Sequence, residues 1–412
     1  MQSNKLSSLD QALATLQQHG NVLTETLSVP LSEATGRVLA ETVHAGMDVP
    51  GFDNSAMDGY AVNTRDLETT RQLPVSQTIQ AGHAGEALAP HSAARIFTGA
   101  PVPTGADAVV IQENTELTGN EVRILQLPQA GENIRRRGHD IASGSAVLER
   151  GRRLRPQDIG LLASLGIAEV RVYRPLRVAI INTGDELVSP GQALGRGQIY
   201  DSNSFTLTAL LGLLHMEVVP VGIVKDDYED TCRALQNAAK QADCIISSGG
   251  VSVGEADYIK QALTDLGELS LWKLAIKPGK PFSFGHLATP SGSPFPTTPF
   301  FGLPGNPVAV FVTFLLLVKP FLLRMQGMQE TSMLSQQIAA GFEQRELSSR
   351  QEYLRVRLQL NQQGLNELIA FDNQGSSVMN SLSWADGLAV IPINTPVKKG
   401  DLLEFLPFSS LL

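Results

Sequence analysis

The residues Ser247-Ser248-Gly249-Gly250-Val251-Ser252-Val253-Gly254-Glu255-Ala256-Asp257-Tyr258 lie between an apolar run, Cys244-Ile245-Ile246, and a helical pattern that starts at Tyr258. A strand that opens through a glycine-rich turn into a helix aims several backbone N–H groups at one point. That point suits a phosphate or another oxyanion. Three glycines and three serines, Ser247, Gly249, Gly250 and Ser252 among them, leave room for close approach. Asp257 falls in the first helical turn, where it either complements the positive end of the helix dipole or holds a metal ion against the phosphate. An ordinary tight turn between strand and helix would use the same residues, so the rest of the chain has to decide.

Other polar residues recur at the same kind of place. Asn182-Thr183-Gly184-Asp185-Glu186 follows one apolar run, and Lys225-Asp226-Asp227 follows the next. Taken singly, each acid is explained by helix capping. Taken together, Glu186, Asp226 and Asp257 gather at the carboxyl edge of one sheet, where open α/β folds bind ligands. Lys273 and Ile276-Lys277-Pro278-Gly279-Lys280-Pro281 add cations beside them. Lysines near acids are usually surface pairs of little consequence, but a rigid Pro-Gly-Lys-Pro turn is suited to gripping an oxyanion. Carboxylates beside a phosphate cradle imply Mg2+, which takes one or two carboxylates and fills its shell with phosphate oxygens and water. The chain has no GxSxG, Walker A or GxGxxG pattern. The chemistry predicted is metal-assisted attack on a phosphate ester or anhydride.

The elements that must position these residues follow from periodicity. From Leu176 the pattern runs strand (Arg177 to Ile181), helix (Ser202 to Leu214), strand (Val218 to Val224), helix (Tyr228 to Ala242) and strand (Asp243 to Ile246). Such alternation predicts a parallel, doubly wound sheet. Phe301-Gly302-Leu303-Pro304-Gly305-Asn306-Pro307 then leads into the apolar run Val308 to Val318. That run is predicted to be a buried helix with Pro307 at its first position, ending at Lys319-Pro320 and too short to span a bilayer. Pro290 to Pro299 reads as an exposed loop. Upstream, Ser8-Leu9-Asp10-Gln11 has capping-box spacing and opens an amphipathic helix to about Gln18. A second short helical pattern surrounds Leu31 to Leu39, and Leu154 to Ala163 is helical again; the segment between, from Gly46 to about Asp140, is strand-rich with many Gly and Pro. We therefore expect a multidomain α+β chain. A discontinuous N-terminal and linker unit (1–45 and 141–175) is interrupted by an inserted β-rich module (46–140), then followed by an α/β unit (176–326) and a small C-terminal β-barrel or sandwich (327–412).

At 412 residues the chain is too long for one core. Forty-two per cent hydrophobic and 18 per cent charged residues are ordinary for a soluble protein, with no basic-then-apolar leader at Met1-Gln2-Ser3. The net charge of −9 argues against nucleic-acid binding. Cys232 and Cys244 form no CxxC pair, which fits a reduced, cytoplasmic protein, and the seven histidines are scattered, with no zinc or iron spacing. Seven arginines fall between Arg135 and Arg155 against Asp140 and Glu149. They are either a solvated basic face or a cradle for an anionic small molecule. The stretches Val49 to Val62, Arg95 to Pro101 and Glu132 to Arg135 are unusually polar and small for their length, as turn-rich or active-site loops are.

The stretches PGFDNSAMDGYAV, IFTGAPVPTGADAVV, ENIRRRGHD, NTGDEL, YDSNS, SSGGVSVGEADY, IKPGKPFSFG and GLPGNPVA, in that order, closely resemble the molybdopterin molybdenumtransferases, the bacterial MoeA family related to the gephyrin E domain. The resemblance runs from about residue 10 to the C-terminus. It implies four domains in an elongated homodimer, the α/β unit being MoaB-like and the C-terminal unit a β-barrel. The implied reaction inserts molybdate into the dithiolene of adenylylated molybdopterin, with Mg2+ and release of AMP.

By the same resemblance, Glu186 and Asp226 are active-site acids and Asp257 a Mg2+ ligand near the phosphoanhydride. Lys277, Lys280 and Pro281 line the molybdate site, with Arg350 and Ser376 approaching from the C-terminal domain. Pro304 and Pro307 shape the adjoining turn. Asp58 and Thr98 come from the β-module to complete the partner subunit's cleft, with Arg135 and Asp140 in the matching ENIRRRGHD segment. The chain departs from the family pattern at His139, where Glu is usual, at Ala309, where Ser is common, and in a longer Pro290 to Pro299 loop. Two rival readings are a Mg2+-dependent nucleotide pyrophosphohydrolase and a non-catalytic, gephyrin-like scaffold. The β-module motifs weigh against the first, and the presence of Glu186, Asp226, Asp257 and Lys277 weighs against the second.

Overall fold

In the strand Arg177–Thr183, Val178 and Ile180 alternate with Ala179 and Ile181, and all four are buried. A strand that is apolar on both faces must be covered on both. The computed structural model, which describes residues 6–249, 258–289, 296–329, 331 and 333–411, shows how. The strand sits second in a six-stranded sheet of order Glu217–Val224, Arg177–Thr183, Cys244–Ser248, Thr297–Leu303, Pro281–Ala288, Gly267–Lys273. Helices Tyr228–Gln241 and Ala262 and Leu263 of Tyr258–Leu266 pack with Ala179, Ile181 and Ile245. Helix Asn203–Leu213 and the long helix from Pro307 pack with Val178, Ile180 and Ile246. The chain adds Glu217–Val224 on one side of Arg177–Thr183 and Cys244–Ser248 on the other, so strand order reverses there and a crevice opens at the carboxyl ends of these parallel strands.

The first four strands are parallel, as expected. The last two pairings, Thr297–Leu303 with Pro281–Ala288 and Pro281–Ala288 with Gly267–Lys273, are antiparallel. Leu274 to Lys280 is too short a connection to carry a crossover helix, so Gly267–Lys273 and Pro281–Ala288 pair as neighbours in a hairpin-like arrangement. The predicted loop ending at Pro299 is also shorter than expected. Thr297, Thr298 and Pro299 extend the sheet edge opposite Ala288, Leu287 and His286. Pro299 is tolerated there because the parallel ladder with Cys244–Ser248 begins only at Phe300.

The apolar run is a buried helix, but it does not stop at Lys319-Pro320. A π-helical turn over Phe314–Val318 joins Pro307–Thr313 to Lys319–Met325. The widened turn accommodates the ring of Pro320, which has no N–H for an ordinary helical bond. The continuous helix has 19 residues, enough by length and composition to cross a membrane, yet 83% of its apolar 18-residue stretch is buried inside the protein. It is the central core helix of this unit.

Upstream, Thr26–Pro30 pairs antiparallel with Glu169–Tyr173, and Val43–His44 pairs with Ala146–Leu148. The chain therefore leaves this region after residue 44 and returns near residue 146. Between them lies a six-stranded sheet of order Ala108–Ile111, Gly59–Val62, Ala93–Ile96, Gln72–Ile79, Glu121–Ile124, Thr115–Thr118. The arginine-rich stretch is mostly structural rather than a ligand cradle. Arg136 and Arg137 pair with Asp53 and Asp48, Arg152 and Arg155 with the buried Asp158, while Arg150 donates to Tyr173 and Arg153 to Leu213 O.

At the other end, Gln351–Leu360, Asn366–Ala370, Gln336–Ala340, Leu402–Pro407 and Gly387–Ile391 close into a five-stranded barrel. A barrel, not a sandwich, follows because Gln351–Leu360 pairs with both the second strand and the last. One more strand joins from outside: Ile276–Lys277 pairs in parallel with Gln351 and Glu352. The α/β unit and the barrel are thus stitched by main-chain bonds at the lysine-bearing turn.

Candidate active site

A cleft of about 880 Å3 opens at the crevice predicted by the strand reversal. Thr183 and Glu186 line it from the end of the first strand, and Ser248 and Gly249 from the glycine-rich turn. Gly249 adopts φ +92°, a conformation that only glycine takes readily, and its N–H donates to Leu303 O at 3.1 Å. Ser247 is fully buried and does not line the cleft; strand alternation turns it to the other face from Ser248. Gly250, Ser252 and Asp257 lie outside the described residues.

Three residues that the strand pattern did not single out hold this corner together. Asn182, 2% exposed, donates to Asp201 Oδ1 at 2.6 Å. Asp201 caps the helix behind it by accepting from Ser204 N at 3.1 Å and Ser204 Oγ at 2.6 Å. Asn203 Nδ2 donates to Ser248 Oγ at 2.7 Å and to Gly305 O at 2.8 Å, tying the glycine-rich turn to the Pro304-Gly305-Asn306-Pro307 turn. The available signal was Asp201-Ser202-Asn203 just before a helix, a capping pattern whose second use cannot be read from spacing.

The opposite wall is the lysine turn and the barrel. Lys277, Lys280, Pro281, Pro304, Pro307, Arg350 and Ser376 all line the cleft. Lys277 Nζ lies 2.6 Å from Glu352 Oε1, and that carboxylate is almost wholly buried. Glu352 also accepts from Gln344 Nε2. Arg350 donates to Ile276 O at 3.2 Å, so the cation is fixed against the same turn. Ser376 Oγ accepts from Asn306 Nδ2 at 3.0 Å, and Ser376 O accepts from Val308 N–H at 3.0 Å. Ala309 forms part of the floor, a methyl group where a hydroxyl would add a hydrogen-bonding group.

The acids are more dispersed. Asp226 sits past the end of the edge strand, its N–H 3.4 Å from Asp185 Oδ1. Burial raises its carboxyl pKa above the usual range, and the charges of Asp185 and Glu186 add to the effect. Asp226 does not line the cleft, and neither does Lys273, which the sequence had grouped with the other lysines. Lys273 lies in the antiparallel strand opposite Pro281, beyond the turn that presents Lys277 and Lys280.

Asp58, Thr98, Arg135 and Asp140 belong to the inserted module and are absent from this chain's cleft lining. Asp58 Oδ1 accepts from both Thr98 N and Thr98 Oγ1 at 2.8 Å. The Thr98 N–H, then its hydroxyl, hold the Asp58 carboxyl below its ordinary pKa. Arg135 pairs by its backbone with Asn54, and Asp140 N–H donates to Val49 O.

Comparison with known proteins matches this architecture along its length. Residues 7–166 match the MoeA N-terminal region (domains I and II), residues 179–324 a probable molybdopterin binding domain, and residues 340–408 the MoeA C-terminal region (domain IV). A molybdopterin molybdenumtransferase of Haemophilus influenzae is 41% identical over 98% of this chain and 99% of its own length. One from Nostoc is 42% identical over 74% of this chain and 70% of its own. The crystal structure of the molybdopterin biosynthesis moeA protein of Pyrococcus horikoshii superposes with a TM-score of 0.82 at 29% identity, covering 98% of this chain and 100% of that one. With its cleft, its doubly wound sheet and its closed barrel arranged as described, the chain belongs to the molybdopterin molybdenumtransferase family of molybdenum cofactor biosynthesis.

Proposed function

We propose that this protein inserts molybdate into adenylylated molybdopterin, with Mg2+-dependent release of AMP. One observation carries the reading: Glu186 and the Ser248-Gly249 turn share a single cleft with Lys277, Lys280, Arg350 and Ser376. The glycine-rich side suits the phosphoanhydride. The lysine side suits a second, separate oxyanion, which is where molybdate as substrate would sit. In this reading Lys277, Lys280 and Arg350 supply positive charge to that oxyanion, Ser376 and Pro281 shape its pocket, and Pro304 and Pro307 keep the adjoining turn rigid.

The donor set fits Mg2+. Asp185, Glu186 and Asp226 are hard oxygen ligands; burial raises the Asp226 pKa, the Asp185 and Glu186 charges add to it, and a divalent cation offsets both. Among the described residues no three such donors form a cluster, and Mg2+ needs only one or two carboxylates beside substrate oxygens and water. Glu186, Asp226 and Asp257 would hold it, and the bound ion would polarise the anhydride phosphorus toward attack.

The reading extends to assembly. Asp58 and Thr98 are pre-arranged in the inserted module yet lie outside this chain's cleft. In a homodimer they would complete the partner subunit's site. The chain would divide at residues 45, 140, 175 and 326, in keeping with strand pairing across residues 43 and 148. Cys232 and Cys244 are both free thiols, in keeping with a reducing cytoplasm.

Turnover with adenylylated molybdopterin, Mg2+ and molybdate, following AMP and cofactor together, tests the reading. Molybdate-dependent AMP release that disappears in Asp257→Asn is expected. Release indifferent to molybdate would instead mark a pyrophosphohydrolase, and none at all would mark a scaffold.

A further inference from the structure

Behind the barrel side of the cleft lies Arg355, 1% exposed and among the largest fully buried side chains. Its guanidinium has no carboxylate within ion-pair distance among the described residues. It donates instead to three neutral oxygens: Nε to Ser381 Oγ at 3.0 Å, Nη2 to Gly375 O at 3.1 Å and Nη1 to Tyr353 O at 3.4 Å. Burial without a counter-charge lowers its pKa to about 10, and the side chain still carries its charge at neutral pH.

Such a charge is costly to bury and is usually found paired. The three oxygens need three donors, more than the two of a neutral amide, and the guanidinium fork supplies them. The position of the loop supplies a second reason. Gly375 leads directly into Ser376, and Gln374, Gly375, Ser376 and Ser377 all line the cleft. The backbone of Arg355 also clamps that loop. Its N–H donates to Gln374 Oε1 at 2.9 Å, and its carbonyl accepts from Gln374 Nε2 at 3.0 Å. Ser376 in turn is locked to Asn306 and Val308 on the facing turn. A continuous bonded path therefore runs from the buried guanidinium through Gly375 to Ser376, which lines the cleft.

We propose that Arg355 is a positioning residue for the oxyanion subsite: it fixes the Gln374–Ser377 loop, and its missing counter-charge is supplied by the tetrahedral oxyanion bound on the other side of that loop. The inference rests on the proposed function for the identity of the anion, not for the arrangement. The guanidinium bonds the carbonyl of Gly375, the residue just before the cleft-lining Ser376, so its loss should weaken oxyanion binding on the order of tenfold.

The test is calorimetric titration of the full-length protein with molybdate, for wild type, Arg355→Lys and Arg355→Met, beside thermal denaturation with and without molybdate. We expect Arg355→Met to bind about tenfold more weakly and to lose most of the molybdate-dependent rise in Tm. Arg355→Lys should recover much of the affinity. In turnover, the KM for molybdate should rise in Arg355→Met while kcat changes little. Equal affinity in wild type and Arg355→Met overturns the inference, as does a loss of folded stability that Arg355→Lys fails to rescue. If wild type itself does not bind molybdate, the functional reading fails first.

Discussion

At the scale of single residues, the cleft depends on a half-exposed lysine tied to a buried acid. Lys277 gives Glu352 its counter-charge, and Glu352 holds Lys277 where the turn presents it. Replacing Lys277 with Met leaves Glu352 buried without a cation. Because Lys277 keeps much of its exposure, we expect a cost of about 2 kcal/mol rather than the full penalty of a deeply buried pair. Glu352→Gln in the same chain should restore most of that stability and none of the activity, a separation that urea denaturation and turnover would read in one double-mutant cycle. Asp226 behaves in the opposite sense. Its folded pKa is raised, so its contribution to stability is fully present below the unfolded pKa of a carboxylate. That contribution is lost as pH rises through the folded value. At neutral pH the metal-free protein therefore carries a small electrostatic strain at Asp226. Asp226→Asn should raise the metal-free Tm slightly, a few tenths of a kcal/mol for so exposed a group, and should remove part of the stabilisation by Mg2+. A metal-free Tm that falls in this variant would contradict the crowding of Asp185, Glu186 and Asp226.

At the scale of elements, the lysine turn is seated on the core helix. Gly279 has φ +112°, and a Cβ built there would stand 2.5 Å from Thr313 Cγ2. Thr313 is fully buried and bonded to Ala309 O at 2.7 Å, so it cannot yield. Gly279→Ala should cost upwards of about 2 kcal/mol from backbone strain and overlap together. It should also displace Lys277 and Lys280, which flank it, so molybdate affinity should fall more than the stability alone explains; titration of the folded fraction checks this. The sequence shows why such a glycine stands between two lysines only in outline. Its rigidity is legible in Pro-Gly-Lys-Pro, whereas the helix beneath it is not. The parallel strands and their helices were legible for the same reason that they form: apolar residues on both faces with period two, then amphipathic runs. The antiparallel end of the sheet was not, because Gly267–Lys273 and Pro281–Ala288 have the same composition in either direction. The continuation of the helix past Pro320 was hidden as well, since a proline ordinarily ends such a run and a π-turn leaves no mark in the sequence.

At the scale of the whole molecule, spacing brings Glu186, Lys277 and Lys280 to notice, while the cleft they line depends on contacts about seventy residues apart. Ile276–Lys277 on Gln351–Glu352, and Asn306 on Ser376, join two units that the sequence only places in order. Asp58 and Thr98 remain outside the cleft of their own chain, and this leads to the most discriminating experiment. Consider a dimer in which each cleft is completed by the partner's inserted module. Chains carrying Asp58→Ala and chains carrying Lys277→Ala are both inactive as homodimers. In a mixed dimer, one cleft receives both defects and the other receives neither. Half of the randomly re-assorted dimers are mixed, and half of their sites are intact, so a one-to-one mixture should recover about one quarter of wild-type activity. If instead each module serves its own chain, every site in the mixture carries one defect and activity stays at the level of the separate mutants. Subunit exchange confirmed by size and mass before the assay makes the distinction clean. Recovery near a quarter would place Asp58 and Thr98 across the subunit boundary, and its absence in a mixture that has exchanged would return them to a local, structural role.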